Sequence, residues 1–288
     1  MAKAVVTGGA GFIGTHIVQA LKDKGFEVVI VDIKTGGDIR KPADLAAAFA
    51  GADYIFHTAA LPRVQYSIEQ PLETHDTNIT GTLNVLVAAR DAGVKKVVYS
   101  ASSSAYGDQS TMPLVESMSP NPLSPYGLQK HVGELYCKIF SEVYGLPAVS
   151  LRYFNVYGPG FDPEGAYALV IGKFLKQRSE GAPMTITGDG TQTRDFTHVR
   201  DVVRANLLAA ESDKVGCGEV INIGAGNNFS VNRIAELIGG PVEHIEPRLE
   251  PRDSLADNRK AKELLGWQPT IRLEDGIAEL KKLFGLLD

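Results

Sequence analysis

Short apolar runs alternate along the first half of the chain with longer stretches that carry apolar residues at helical spacing. Ala4–Thr7, Val28–Asp32, Tyr54–His57, Lys96–Ser100 and Ala148–Tyr153 read as buried strands. Between them Ile13–Lys24, Pro42–Ala50, Thr77–Ala92 and Tyr126–Tyr144 read as helices, the first with Ile17, Val18 and Leu21 on one face. Strictly alternating strands and helices predict an α/β fold, a doubly wound parallel sheet with helices on both faces. The pattern changes after Arg152. Asn155–Gly165 reads as a long loop, Leu169–Ser179 as a helix and Met184–Thr187 as a strand. Phe196–Ala210 and Val220–Ile223 read as a helix and strand that rejoin the sheet, and Val231–Ile238 and Asn258–Leu265 as helices. This predicts a smaller, discontinuous C-terminal domain for the substrate. The expected boundaries are 1–157 and 195–225 for the sheet domain, with 158–194 and 226–288 for the smaller one.

The first strand breaks into glycines at Gly8, Gly11 and Gly14, followed by a helix that opens with Phe12 and Ile13. A bare glycine-rich turn would look similar, but strand, glycine turn and helix in that order make a Rossmann-type dinucleotide site. Gly8 permits a tight turn, Gly11 lets backbone approach a pyrophosphate, and Gly14 lets the helix sit close. Asp32 ends the second strand at about the spacing of a carboxylate that accepts from a ribose hydroxyl. It would repel a 2′-phosphate, so NAD is expected rather than NADP. Asp38 and Ile39 follow closely, which predicts a trimmed wall over the adenine.

Tyr126 and Lys130 stand one turn apart on a predicted helix behind Ser124-Pro125. A chance surface pair is the bland reading. An ammonium beside a phenol would favour the phenolate and turn tyrosine into an acid/base near neutral pH. The fourth strand runs out into Ser100, Ser102, Ser103 and Ser104, at the carboxyl end where ligands bind in such folds. A Ser102–Tyr126–Lys130 relay is the expectation.

These motifs identify the chain as resembling an extended short-chain dehydrogenase/reductase of the nucleotide-sugar epimerase/dehydratase family. The resemblance covers essentially the full length. It rests on Thr7–Gly14, His57-Thr58-Ala59-Ala60, Asn78–Thr82, Ser102–Gly107, Tyr126–Lys130, Arg152–Pro159, Arg194-Asp195-Phe196 and Ala256-Asp257 through Trp267. The resemblance implies bound NAD, a UDP-sugar substrate and hydride removal at sugar C4. Tyr126 would take the O4 proton, with Ser102 bridging, and Lys130 would bind the nicotinamide ribose. Cofactor contacts would also come from Ala59, Ala60, Asn78, Ser100 and Tyr153. Substrate contacts would come from Ser103, Ser104, Asn155, Ala166, Tyr167, Val170, Arg194, Arg252 and Ser254. Dehydratases of the family carry an acidic pair where this chain has Ser103-Ser104, so a 4-epimerase is the closer likeness. Small Ser254 and the run Asp162–Tyr167 resemble the subgroup acting on UDP-N-acetylglucosamine as well as UDP-glucose. Another sugar-nucleotide oxidoreductase, or a non-catalytic NAD sensor, is the alternative. Apolar stripes Ile79, Leu83, Leu86, Val87 and Val132, Leu135, Ile139, Val143 fit burial on the sheet; the resemblance implies a homodimer through a four-helix interface. His57 is expected to pack structurally, and Trp267 to sit in the core of the last subdomain.

Bulk properties narrow the field further. The chain has 288 residues, enough for a large core in one or two domains, with 44% hydrophobic and 22% charged residues. A net charge of −5, with no basic run, argues against nucleic acid as a partner. Cys137 and Cys217 show no metal-ligand spacing. No apolar run is long enough to span a membrane and a strand starts almost at once, so a cytoplasmic protein is expected.

Overall fold

The first five apolar runs become neighbouring strands because each is short and carries β-branched or aromatic residues. A computed structural model describes residues 1–161, 170–246 and 252–286. In chain order it contains β1 (Lys3–Thr7), α1 (Phe12–Asp23), β2 (Glu27–Val31), α2 (Pro42–Phe49), β3 (Tyr54–His57), α3 (Val64–Glu69), α4 (Pro71–His75), α5 (Gly81–Asp91), β4 (Lys96–Ser102), α6 (Pro125–Tyr144) and β5 (Ala148–Tyr153). There follow β6 (Val156–Tyr157), α7 (Val170–Ser179), β7 (Met184–Thr187), β8 (Thr193–Asp195), β9 (Thr197–His198), α8 (Val199–Glu211), β10 (Cys217–Ile223), β11 (Asn228–Ser230), α9 (Val231–Ile238), β12 (Val242–Ile245), α10 (Arg259–Leu265) and α11 (Leu273–Leu283).

Six strands form one parallel sheet in the order β10-β5-β4-β3-β1-β2. Thr7 at the end of β1 pairs with Val31 on one side and His57 on the other. The chain leaves β1 toward β2 and returns to its other side for β3. That reversal opens a crevice beyond the strand ends, where ligands bind in such sheets. Period-two alternation divides the core. Ala4 and Val6 face Ile17 and Leu21 of α1 and Val202 of α8, while Val5 faces Leu45, Leu86 and Phe140 on the other side.

A separate apolar cluster joins α7, β7, α9 and α11 through Phe174, Ile186, Ile234 and Ile277. Trp267 departs from expectation. It is buried with Ala261 and Leu265 of α10 in the cluster on the α1–α8 face of the large sheet, and its indole N–H donates to the Asp201 carbonyl at 2.8 Å. Its core is therefore that of the sheet domain, not of the last subdomain.

Three local departures matter for the site. Asp32 lies just past β2, where its carboxylate caps a short 3₁₀ turn by accepting from Lys34 N–H at 2.9 Å. The helix expected from Thr77 begins as a π-helical turn, Asp76–Thr80, and becomes α-helical at Gly81. The helix expected from Phe196 starts at Val199, because Thr197 and His198 pair with Val156 and Tyr157 instead.

Candidate active site

The glycine turn is built around contacts that a side chain would destroy. Gly8 has φ +71°, and a Cβ on it would lie 2.6 Å from Ala59 N. A Cβ on Gly14 would lie 2.1 Å from the Gly8 carbonyl oxygen, so α1 can approach β1 only with glycine there. Gly11 caps α1 without a side-chain hydrogen bond. The first-turn N–H groups therefore point outward as an anion site.

The turn borders a cavity of about 410 Å³, a size suited to a bound small molecule. Gly8, Gly11, Phe12, Ile13 and Gly14 line one side. Asp32, Asp38 and Ile39 line the next, and Ala59 and Ala60 the floor. Ser100, Tyr126, Lys130 and Tyr153 close the far end. Asp32 is fixed in place, its second carboxylate oxygen accepting from Ala10 N–H at 3.1 Å. Asp38 is gripped by Arg40 at 2.7 Å, and that hydrogen bond holds its carboxyl below the usual carboxylate range.

Asn78 is not on the cavity wall. Both ends of its amide are committed: Oδ1 accepts from Leu61 N–H at 2.8 Å, and Nδ2 donates to the Leu61 carbonyl at 3.1 Å and to Gln129 Oε1 at 2.7 Å. It shapes the wall through Leu61, which does line the cavity.

The capped N-terminus of α6 presents Tyr126 and Lys130. Ser124 Oγ accepts from Gly127 N–H at 3.1 Å, and Pro125 occupies the first turn. Ser67 of α3 accepts from Tyr126 N–H at 3.0 Å. Gly127 lets the serine turn press against the helix, since a Cβ there would lie 2.5 Å from the Ser104 carbonyl oxygen. Ser103 and Ser104 sit in that 3₁₀ turn, which is capped by Ser102 accepting from Ser104 N–H at 3.1 Å.

One electrostatic expectation is corrected. Burial pushes the Tyr126 phenol up to about 12, and the Ser102 hydroxyl, not the Lys130 ammonium, opposes that rise. Lys130 is itself pushed down to about 8 by burial, and its Nζ donates to the Ser100 carbonyl at 2.8 Å. The i, i+4 spacing places the pair on one wall, but the ammonium is drawn toward β4.

The remaining expected substrate residues gather beyond β5. Asn155, the non-glycine residue with φ +30°, donates to the Asp195 carbonyl at 2.8 Å and to Ser254 Oγ at 3.5 Å. Arg194 Nη1 donates to the carbonyls of Thr193 and Arg252, each at 2.9 Å. Arg252 leaves its guanidinium exposed next to Thr191. Ser254 Oγ also accepts from Asp195 N–H at 3.3 Å. Val170 opens α7 and packs on the third cluster. Ala166, Tyr167 and the run Asp162–Tyr167 lie outside the described residues.

Sequence reasoning missed the residues that hold this arrangement. Ser67 gives no sequence signal, and Gln129 sits unremarked between Tyr126 and Lys130. Asp195, quoted only within a motif, is buried and accepts from the N–H groups of Ala225, Gly226 and Ala256 at 2.8, 3.0 and 3.0 Å. Burial pushes its carboxyl up to about 6 against the pull of those donors. A buried acid beside an arginine in a polar strand was the available hint.

Comparison with known proteins agrees with this geometry. The model of the NAD dependent epimerase/dehydratase family matches residues 4–224. UDP-glucose 4-epimerase of Mycolicibacterium smegmatis is 36% identical over 310 residues, covering 98% of this chain and 98% of that one. The structure of UDP-N-acetylglucosamine 4-epimerase from Methanobrevibacter ruminantium, in complex with UDP-N-acetylmuramic acid, superposes with a TM-score of 0.92 at 38% identity, covering 98% of each chain. The Thermus thermophilus UDP-glucose 4-epimerase complex with NAD gives a TM-score of 0.89 at 32% identity, covering 98% of this chain and 99% of that one.

Proposed function

The chain belongs to the NAD dependent epimerase/dehydratase family, and from that premise we propose that it interconverts UDP-sugars that differ in configuration at C4. The substrates are UDP-glucose and UDP-galactose, together with UDP-N-acetylglucosamine and UDP-N-acetylgalactosamine. NAD is its cofactor. The glycine cradle, the uncapped N-terminus of α1 and the fixed Asp32 suit a dinucleotide with a free ribose hydroxyl pair. The observation that carries the reading is that Tyr126 and Lys130 close the same cavity that the glycine turn opens, next to a serine turn with no carboxylate.

NAD, when bound, would supply a hydride acceptor for sugar C4 and a positive charge in the cavity that Tyr126 and Lys130 line. Tyr126 takes the O4 proton, with Ser102, whose hydroxyl opposes the rise of the phenol's pKa, as the bridging hydroxyl. Lys130 adds positive charge at the end of β4 and reaches the nicotinamide ribose. Asn155, Arg194 and Arg252 hold the diphosphate, for which forked guanidinium donors are suited. Holding the 4-keto sugar in one dry site lets it turn and be reduced on its other face.

Ser254 supports the wider substrate range. It is small, and its hydroxyl ties Asn155 to β8. A second copy of the chain is the proposed partner, in a cytoplasmic setting. Leu128, Leu135, Ile139 and Val143 form an exposed apolar stripe on α6, while Leu86 of α5 is fully buried and belongs to the core instead.

Product analysis with UDP-glucose and UDP-N-acetylglucosamine side by side tests the reading. The C4 epimer of each is the expected product. Loss of water or net consumption of a nicotinamide cofactor would mark a different family reaction.

A further inference from the structure

Behind the far wall of the cavity, side chains of β3, β4 and α6 form a buried stack. The Tyr99 ring of β4 has the Lys130 Nζ 5.0 Å from its centroid. The His57 ring also packs against it, 5.4 Å away with the planes 35° apart. His57 is tethered at both nitrogens, to Thr7 Oγ1 at 2.7 Å and Thr82 Oγ1 at 2.9 Å. Gly133 makes the seat for the ring: a Cβ there would lie 2.3 Å from the Tyr99 hydroxyl oxygen. The tyrosine therefore enters the helix groove only because position 133 is glycine.

We propose that Tyr99 is a positioning residue whose ring face holds the Lys130 ammonium at the end of β4 and keeps it charged. The inference rests on reading Tyr126 and Lys130 as the acid/base pair. An aromatic face attracts a cation, most strongly where water is excluded. The surroundings leave few other groups to do so. From α6, Glu134 and Cys137 face Lys130, but Glu134 is engaged by Arg152 at 2.7 Å and burial pushes the Cys137 thiol up to about 12. From β3, His57 is held neutral, its pKa pushed down by burial to about 3. From β4 and β5, Tyr99 and Tyr153 are kept neutral by burial. Tyr126 on the same helix is also held in its neutral form. The Ser100 carbonyl and the ring face are what touch the ammonium directly. Burial already lowers Lys130, so a loss of ring attraction would lower its titration further.

The test uses the full chain with NAD bound. Tyr99→Phe is compared with singly and multiply fluorinated phenylalanines at position 99, which keep the ring's shape while draining its face of negative charge. The Lys130 titration is followed by NMR of ε-¹³C lysine, its signal assigned by loss in Lys130→Met, alongside the pH profile of turnover. Tyr99→Phe is expected to leave the midpoint within about 0.3 unit, and the fluorinated series to lower it stepwise by up to about one unit. The alkaline limb of turnover should move down with it, because less Lys130 is charged at a given pH. A midpoint that stays flat across the series overturns the role of Tyr99. A midpoint that falls while the turnover profile stays fixed upholds the hold on Lys130 and overturns the acid/base reading instead.

Discussion

Replacing Glu134 by alanine should unfold much of this protein's margin of stability. Glu134 lies one turn beyond Lys130 and is 2% exposed. Its two carboxylate oxygens accept from Arg152 Nε and Nη2, each at 2.7 Å, and His131 Nδ1 lies 3.0 Å from one of them. Arg152 is equally buried and its guanidinium lies over the Tyr106 ring, 4.3 Å from its centroid. Its remaining nitrogen, Nη1, already has no partner. Removing the carboxylate thus strands a dehydrated guanidinium, which costs about 3–5 kcal/mol for a buried pair broken on one side. Removing both charges is a different perturbation. Glu134→Met with Arg152→Met takes away the attraction and the desolvation together, and such exchanges cost little or stabilise. Urea unfolding of Glu134→Met, Arg152→Met and the double variant gives the coupling energy directly. A loss below about 1 kcal/mol in Glu134→Ala, or a double variant less stable than Glu134→Ala, would refute the reasoning.

Tyr126→Phe removes the proposed proton acceptor and should lower kcat by about a hundredfold to ten-thousandfold, read by product formation; near-normal turnover would exclude the phenol. His57 is held at about 3 in the fold against about 6.5 unfolded, so stability present above pH 6.5 is lost as pH falls toward 3. The slope is about 1.4 kcal/mol per pH unit, to which His198, held at about 4, adds a similar share; urea unfolding of His57→Asn between pH 6.5 and 4.5 should show one proton less of slope, and an unchanged slope contradicts the assignment. Ser254→Tyr should abolish turnover of UDP-N-acetylglucosamine while sparing UDP-glucose, with Ser254→Ala retaining both, and equal loss on both substrates counts against the size argument. Ile139→Asp places a charge in the exposed stripe of α6 and should shift a dimer to monomer in sedimentation; no change would remove that stripe from the interface.

The sheet was legible because its signal is local. Strands such as Val28–Val31 and Val97–Tyr99 are short apolar runs, and the glycine turn demands backbone that only glycine supplies at Gly8. Tyr126 and Lys130 were legible as a pair because helical spacing alone puts them on one face. What their neighbours do was not legible. The tilt of Lys130 toward Ser100 depends on Tyr99 and Gly133, brought together from a strand and a helix that are distant in sequence. The engagement of the Asn78 amide by Leu61 and Gln129 was not legible either, because it exists only once the π-helical turn before α5 lies beside α6. Trp267 was misplaced for the same reason: an isolated indole in a C-terminal segment gives no sign of which face will bury it. The short helices α3 and α4 escaped notice because six and five residues are too few to show a period.

The central claim is that one hydride leaves sugar C4 and returns to it inside a single site. UDP-glucose carrying deuterium at C4 tests this most directly, with the product read by mass spectrometry and NMR. The account predicts UDP-galactose that retains the label at C4, with no net change in the nicotinamide cofactor. Label released to solvent, or product formed only as the cofactor is consumed, would contradict it.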